Sequence, residues 1–393
     1  MVNFTFAGMP PVHFGPGKLS VLPRLARAFG REALLVTGKS SLESGGRLER
    51  VLDGLKAAGL EVRRITIAAE PSTAFIDRTC AELRAGGAPI AVVIGIGGGS
   101  VIDGAKALSA MLPHRNSVLD HLEDVGSNLP HSGVKVPYVA APTTSGTGGE
   151  MTKNAVLSMV GPDGYKKSLR HDNLIPDAVI VDPELMLSCP PHVTAACGMD
   201  AFTQLLEPYL SPLASPLSDA LAWSGLEMAR EYMVPAATDR GGDLDVRAGM
   251  AYASMLSGAA LANAGLGLVH GLASPIGGFF EIPHGVVCGT LVAETTAANI
   301  AALRREGAHS AALAKYAKVG ILFGGDAGKS EAWNCDFLIE RLHALTEALR
   351  LPRLSAYGIG EGDLDRIVEK TGNRQNPVKL APDAIRGLLA RRL

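Results

Sequence analysis

One stretch, Ile90 to Leu108 (IAVVIGIGGGSVIDGAKAL), limits what this chain can fold into more than any other. The β-branched, apolar run Ile90 to Ile96 reads as a parallel strand buried on both faces. Gly97, Gly98 and Gly99 follow, then Ser100 with Asp103 three residues on, which predicts an N-cap and capping box opening a helix through Ala105 to Leu108. A strand, a glycine turn and a helix N-terminus make an anion site, because unpaired N–H groups and the helix dipole favour a phosphate. The same residues also fit a tight βα turn that binds nothing.

The chain around this stretch divides in two. Ala33 to Thr37, Leu60 to Ile67, Val136 to Ala140 and Ala178 to Val181 read as further strands. Gly46 to Gly59 and Phe75 to Ala85 carry helical spacing between them. Strands alternating with helices predict a mostly parallel sheet covered on both faces. After Pro183 only helical periodicity remains, in Val193 to Tyr209, Pro216 to Met233, Asp245 to Ala264 and Glu331 to Leu349. With 393 residues the chain has room for two cores. The expected organisation is an α/β domain over residues 1–185 and an all-helical domain over 186–393.

Several function classes are disfavoured. A net charge of −2 gives no electrostatic case for nucleic acid or an anionic membrane. The N-terminal MVNFTFAGMPPVHFGPG reads as a small strand and turns, not a secretion signal. No apolar run reaches the ~18 residues of a membrane span. Five scattered cysteines without C-x-x-C fit free thiols, so a cytoplasmic protein is expected.

Three constellations can carry chemistry. In the glycine turn, Gly95-Ile96-Gly97 satisfies G-x-G, but Ser100 stands where a dinucleotide fingerprint wants Gly or Ala. The turn also follows the third strand, and no strand leads up to Asp120, the acidic residue about 20 positions on. Ala141 to Asn154 (APTTSGTGGEMTKN) puts Thr143, Thr144, Ser145 and Thr147 directly after a strand end, where open parallel sheets bind ligands. In the helical half, Asp200 and Gln204 stand at i and i+4 on one helix face. With His270 and His284 they can converge on a divalent metal, a Lewis acid for a substrate oxygen.

In this order the constellations resemble the iron-containing (group III) alcohol dehydrogenase family, over nearly the whole chain. GGGSVIDGAKAL resembles its pyrophosphate turn, APTTSGTGGEMTKN its nicotinamide-side loop, and Lys166 with LIPDAVIVDPEL its interdomain crossing. GMDAFTQLLEPY and HGLASPIGGFFEIPHG resemble its two metal segments. The resemblance implies the dehydroquinate synthase-like fold of that family: an α/β dinucleotide-binding domain, a helical domain, and a cleft between them. It implies hydride transfer between NAD or NADP and an alcohol/aldehyde or ketone pair, assisted by iron or zinc. It also implies a small-molecule substrate and a homodimer or higher homo-oligomer, in which Asn3 to Phe6 can pair as a strand across a two-fold axis. The cofactor-binding residues are then Gly97, Gly98, Gly99, Ser100 and Asp103 on one side, and Thr143, Thr144, Thr147, Asn154 and Lys166 on the other. The metal set is Asp200, Gln204, His270 and His284, and the two histidines are the catalytic candidates.

Three positions depart from the family pattern. Gln204 replaces a histidine, and an amide is a harder, weaker ligand than imidazole for Fe²⁺ or Zn²⁺. Ser274 replaces a second cleft histidine, removing an obvious proton relay. Gly38 replaces an aspartate that would repel a ribose 2′-phosphate, while Lys39, Ser40 and Ser41 can donate to one, so NADP is expected to be accepted or preferred. A maleylacetate reductase-like enzyme and a lyase of the dehydroquinate synthase type remain alternatives. The second would need a Lys/Arg-rich cleft, which Met199 to Tyr209 and Val269 to Cys288 do not supply. Phe279-Phe280-Glu281 fits either a partly apolar substrate pocket or core.

Overall fold

The structure is a computed structural model and describes residues 3–307 and 311–393. Met1 and Val2, the start of the expected N-terminal strand-and-turn segment, lie outside the described residues. The strands are β1 (Val12–Phe14), β2 (Glu32–Thr37), β3 (Glu61–Thr66), β4 (Val92–Gly97), β5 (Tyr138–Pro142), β6 (Asn154–Met159), β7 (Tyr165–Arg170) and β8 (Ala178–Val181). Six of them form one parallel sheet in the order β1-β8-β5-β4-β2-β3. β4 and β5 are buried along their whole length, which explains their uninterrupted apolar composition.

Helices α1 (Leu22–Arg27), α2 (Arg47–Ala57), α3 (Thr73–Ala85) and α4 (Gly99–Met111) connect these strands. The strand order makes the ligand-binding edge legible. From β2 the chain steps outward to β3, then crosses back to place β4 on the other side of β2. The reversal opens a crevice at the carboxyl ends of β2 and β4, the place where open α/β sheets bind ligands. Thr37 and Ile96 are paired there, so Gly38 and Gly97 flank the same crevice.

One local expectation is corrected. Helix α4 begins at Gly99 with Gly98 as its N-cap, and no side chain caps it. Val101 and Ile102 both donate to the Gly98 carbonyl, which places Ser100 inside the first turn and leaves Asp103 without a capping-box role. Within the single chain Asn3 to Phe6 lies outside the sheet, and β1 begins at Val12 and extends the sheet beside β8. Residues 154–170, which carried no strand expectation, form the antiparallel β6–β7 ribbon packed beside α4. The ribbon buries Ala155, Leu157 and Leu169 on one face and the polar pair Ser158 and Lys166 on the other.

The helical half comprises α5 (Pro191–Leu210), α6 (Pro216–Ala237), α7 (Leu244–Ala264), α8 (Leu268–Phe279), α9 (His284–Glu306), α10 (Ala311–Leu322), α11 (Glu331–Ala348), α12 (Leu364–Lys370) and α13 (Pro382–Ala390). Close packing here depends on small residues: a Cβ on Gly225 would fall 2.4 Å from Leu205 of α5, and one on Gly249 would fall 2.1 Å from the Tyr232 ring. By hydropathy alone α9 is long and apolar enough to cross a membrane, yet 83% of its most apolar stretch is buried inside the fold. It packs against α5, α8, α10, α11 and α13 as a core helix.

Candidate functional site

One wall of the cleft is built from backbone. A Cβ on Gly97 would lie 2.5 Å from the Val101 side chain, and one on Gly99 would lie 2.8 Å from Thr147. These glycines let β4 turn straight into α4 and let the threonine loop lie against the turn. The Thr143 N–H donates to the Gly97 carbonyl at 2.9 Å, tying the two loops together. Lys106, buried beneath them, donates to the carbonyls of Gly149 (2.7 Å), Thr152 (2.7 Å) and Asn154 (2.9 Å) and to the Thr152 hydroxyl (2.8 Å). Burial lowers the pKa of Lys106, opposed by the Asp103 and Glu150 carboxyls. Burial likewise raises Asp103, against the pull of Lys106 and of a Val156 N–H bond. Asp103 thus faces the support of the loop.

At the outer end of the crevice Lys39 and Ser40 are exposed. The Ser41 hydroxyl is buried with no hydrogen-bond partner, and a Cβ on Gly38 would sit 3.4 Å from it. Arg64 of β3 reaches the Thr37 hydroxyl through Nε at 3.1 Å. A guanidinium therefore stands beside the end of β2, one residue before Gly38.

The other wall is built from side chains. Asp200 lies in the middle of α5 and is 2% exposed. Its Oδ1 is 3.4 Å from His270 Nε2 of α8 and 3.7 Å from His284 Nε2, the first residue of α9. That oxygen is buried and makes no hydrogen bond. Burial pushes the Asp200 carboxyl up, but the His284 and His270 imidazoles pull it below its ordinary value. For His284 burial dominates and, with Lys166 and His270 nearby, holds the imidazole down at about 4 despite Asp200.

His270 is oriented from behind. Its Nδ1 meets Glu207 Oε2 at 2.6 Å, while Glu207 Oε1 accepts the Val269 N–H at 2.7 Å. With Nδ1 engaged, Nε2 is directed into the cleft, the arrangement that raises the basicity of a metal-binding imidazole. Cys288, one turn along α9 from His284, brings Sγ to 3.6 Å from His270 Nε2 and 3.7 Å from His284 Nε2. Gln204, one helical turn after Asp200, donates its amide N–H to the Gly146 carbonyl at 3.3 Å. That bond joins the two walls, because Gly146 belongs to the threonine loop.

Two family models match the chain: "Iron-containing alcohol dehydrogenase" over residues 10–183 and "Fe-containing alcohol dehydrogenase family, C-terminal" over residues 194–393. The chain belongs to the iron-containing alcohol dehydrogenase family. Its relatives include an NADPH-dependent butanol dehydrogenase of Clostridium saccharobutylicum, 32% identical over 95% of this chain and 91% of that one. Another is an NAD-dependent methanol dehydrogenase of Bacillus methanolicus, 32% identical over 80% of each. The iron-containing alcohol dehydrogenase of Thermococcus thioreducens superposes with a TM-score of 0.85, at 28% identity over 99% of both chains.

This iron-containing alcohol dehydrogenase is an NAD(P)-dependent oxidoreductase acting between alcohols and carbonyl compounds. The maleylacetate reductase and lyase alternatives are not favoured. Among the expected residues, the structure gathers Asp200, His270 and His284 at one point, and Gln204 on the same helix as Asp200 ties that wall to the threonine loop. Lys166 is nearly buried and ion-paired with Glu70, whose charge also reaches His284. Asn154 supplies its carbonyl to Lys106 and its amide to Ser168. The Ser274 hydroxyl donates to the Lys166 carbonyl at 2.7 Å. The Phe279 and Phe280 rings lie under the Arg366 guanidinium, at 4.9 and 5.0 Å.

Residues that sequence reasoning missed are Glu207, Glu70, Arg64 and Cys288. Two had a signal. Glu207 stands seven residues after Asp200, two helical turns along the same face, and Cys288 stands four after His284. Glu70 and Arg64 reach the cleft only through the fold.

Proposed function

We propose that this enzyme transfers a hydride between a nicotinamide cofactor and the carbonyl carbon of a small alcohol/carbonyl substrate, with a divalent metal held at Asp200, His270 and His284. The observation that carries this reading is the buried Asp200 Oδ1, unpaired yet aimed at two imidazole Nε2 atoms. A buried carboxylate oxygen without a partner costs several kcal/mol unless a cation completes it. The donor set therefore fits a metal such as zinc or iron. When bound, that metal supplies Lewis-acid polarisation of the substrate oxygen.

The chain's own residues do the rest. Glu207 holds the His270 tautomer, and Lys106 fixes the threonine loop that shapes the nicotinamide side. Gly97, Gly98 and Gly99 let the backbone N–H groups of the α4 N-terminus approach a pyrophosphate. Glu70 keeps Lys166 in place beside His284. Protein purified without chelator is expected to contain about one metal per chain, to lose activity with EDTA and to regain it with Zn²⁺ or Fe²⁺. Full activity in metal-free protein overturns the reading and leaves His270 or His284 as the hydrogen-bond donor to the substrate oxygen.

NADP is the preferred cofactor in this proposal. The unpaired Ser41 hydroxyl, the absence of a carboxylate at Gly38, and Arg64 beside Thr37 all favour a 2′-phosphate. The named relatives include users of either cofactor. Catalytic efficiency is expected to be higher with NADPH than with NADH, and Arg64→Ala to reduce the NADPH value selectively. An NADH preference in the unsubstituted enzyme refutes the assignment.

The domain division is placed near residue 185, between β8 and α5. A homodimer is proposed through the N-terminal segment, where Phe4 and Met9 are exposed beside edge strand β1. Five free cysteines support a reducing compartment, the cytoplasm.

A further inference from the structure

The donor set around Asp200 contains one atom that the expected Asp-His-His-His pattern does not explain. Gln204 stands at the position of the missing imidazole, and its amide nitrogen donates to the Gly146 carbonyl. The fourth atom that does converge is Cys288 Sγ. It lies with an Asp200 carboxylate oxygen, a His270 ring nitrogen and a His284 ring nitrogen in a group whose ligand atoms are all within 4.8 Å of one another.

The spacing within that group is informative. A tetrahedral zinc with Zn–S of about 2.3 Å and Zn–N or Zn–O of about 2.0–2.1 Å places neighbouring ligand atoms roughly 3.4–3.6 Å apart. Four of the six edges are 3.4 Å (Asp200–His270), 3.7 Å (Asp200–His284), 3.6 Å (Cys288–His270) and 3.7 Å (Cys288–His284), and the other two lie within 4.8 Å. Ordinary core packing gives a thiol no reason to sit equidistant from two imidazole Nε2 atoms beside an unpaired carboxylate oxygen.

We propose that Cys288 is a thiolate ligand of the cleft metal, a donor that the Asp-His-His-His pattern lacks, forming an Asp200–His270–His284–Cys288 site with the chemistry of zinc. The inference rests on the metal-assisted reading given above. His284 and Cys288 are presented by one face of α9, at i and i+4. His270 is fixed by Glu207, and Asp200 comes from α5, so three helices supply the four donors. As the metal–sulfur bond forms, the thiol proton leaves to solvent and the metal keeps its oxidation state, so binding releases one proton from Cys288. A soft thiolate in place of a third imidazole shifts the set towards zinc and away from ferrous iron.

Cobalt(II) spectroscopy on the chelator-stripped full-length protein tests this without relying on activity. One equivalent of Co²⁺ is expected to give both visible d–d bands and a near-ultraviolet sulfur-to-cobalt charge-transfer band. In Cys288→Ser the charge-transfer band disappears and the d–d bands remain. It persists in Cys197→Ser, which removes the other thiol near the cleft, packed against Gly146. Zinc affinity, from competition with a chromophoric chelator, is expected to fall in Cys288→Ser by at least about tenfold, since even an outer partner of a ligand is worth 10–100-fold.

Cobalt bound without a charge-transfer band, or a band that survives Cys288→Ser, overturns the thiolate assignment and leaves the metal reading standing. No cobalt binding by equilibrium dialysis overturns both. If Cys288→Ser does not fold, the spectrum of the unsubstituted protein still decides.

Discussion

Among the described residues histidines gather in two places, and only one of these also brings a carboxylate and a thiol within ligand distance. In the α/β half His114, His121, His131 and His171 lie together, with neighbouring ring centroids 4.6–6.1 Å apart. In the helical half His270 and His284 are 5.3 Å apart. The larger cluster has more imidazoles and the poorer site, because its ring nitrogens are already engaged. His114 contacts the Ala110 carbonyl and Ser132, and His121 contacts the Leu129 carbonyl and Asn116. His131 contacts Ala110 again and accepts from Gly133, and His171 accepts from Asn173. The smaller cluster has an unpaired carboxylate oxygen at its centre and ring nitrogens facing it. Imidazoles in proximity do not make a site; unspent donor atoms around a buried anion do.

The sharpest way to break the contrast is Asp200→Asn, which keeps the shape and removes the charge. Turnover is expected to fall by about 10²–10³-fold, the scale for losing a preorganised electrostatic stabiliser, with metal content falling in parallel by elemental analysis. Unchanged turnover would make the helical cluster no more special than the other. Next is Glu207→Gln, which weakens the hold on His270 Nδ1. Metal affinity is expected to drop about 10–100-fold while the folded structure persists by circular dichroism.

The smallest effect belongs to His131. Burial, aided by the neighbouring imidazoles, holds it down at about 4 against the Ala110 carbonyl contact. The folded state therefore resists a proton that the unfolded chain takes up below about pH 6.5. Its contribution to stability is full above that pH and is lost as the pH falls towards 4. Denaturant titrations should show about 1–2 kcal/mol lost between pH 6.5 and 5. His131→Gln should flatten that slope and leave metal content untouched. A slope identical in both proteins refutes the assignment.

The sheet was legible because Ala33 to Thr37 and Ala178 to Val181 are apolar runs that cannot sit anywhere but between covering layers. The β6–β7 ribbon was not, since Asn154–Met159 and Tyr165–Arg170 are short, mix charge with apolar residues and bury Ser158 and Lys166 as well as Leu157 and Leu169, so no clean alternation marks them. In the cleft, the backbone wall was readable from Gly97 to Gly99 because glycine requirements are local. The side-chain wall was readable only in part: Asp200, His270 and His284 declared themselves by type. Gln204 was assigned by position, and its amide has another partner. Cys288 looked like any scattered core thiol, since a cysteine becomes a ligand candidate only when a fold brings imidazoles to it. Ser100 was misplaced for a simpler reason: with glycine at position 98, the backbone enters the helix one residue before any side chain is available to cap it.

The two halves also meet main chain to main chain, at Gly148 and Gly258. Gly148 has a positive φ of 55°, and a Cβ on Gly258 of α7 would fall 2.0 Å from the Gly148 carbonyl oxygen. Main chain rests on main chain there, with no side chain between to bend or re-rotamerise. Even a methyl group at position 258 would therefore wedge the threonine loop off the helical half, two residues from the Gly146 carbonyl that Gln204 holds.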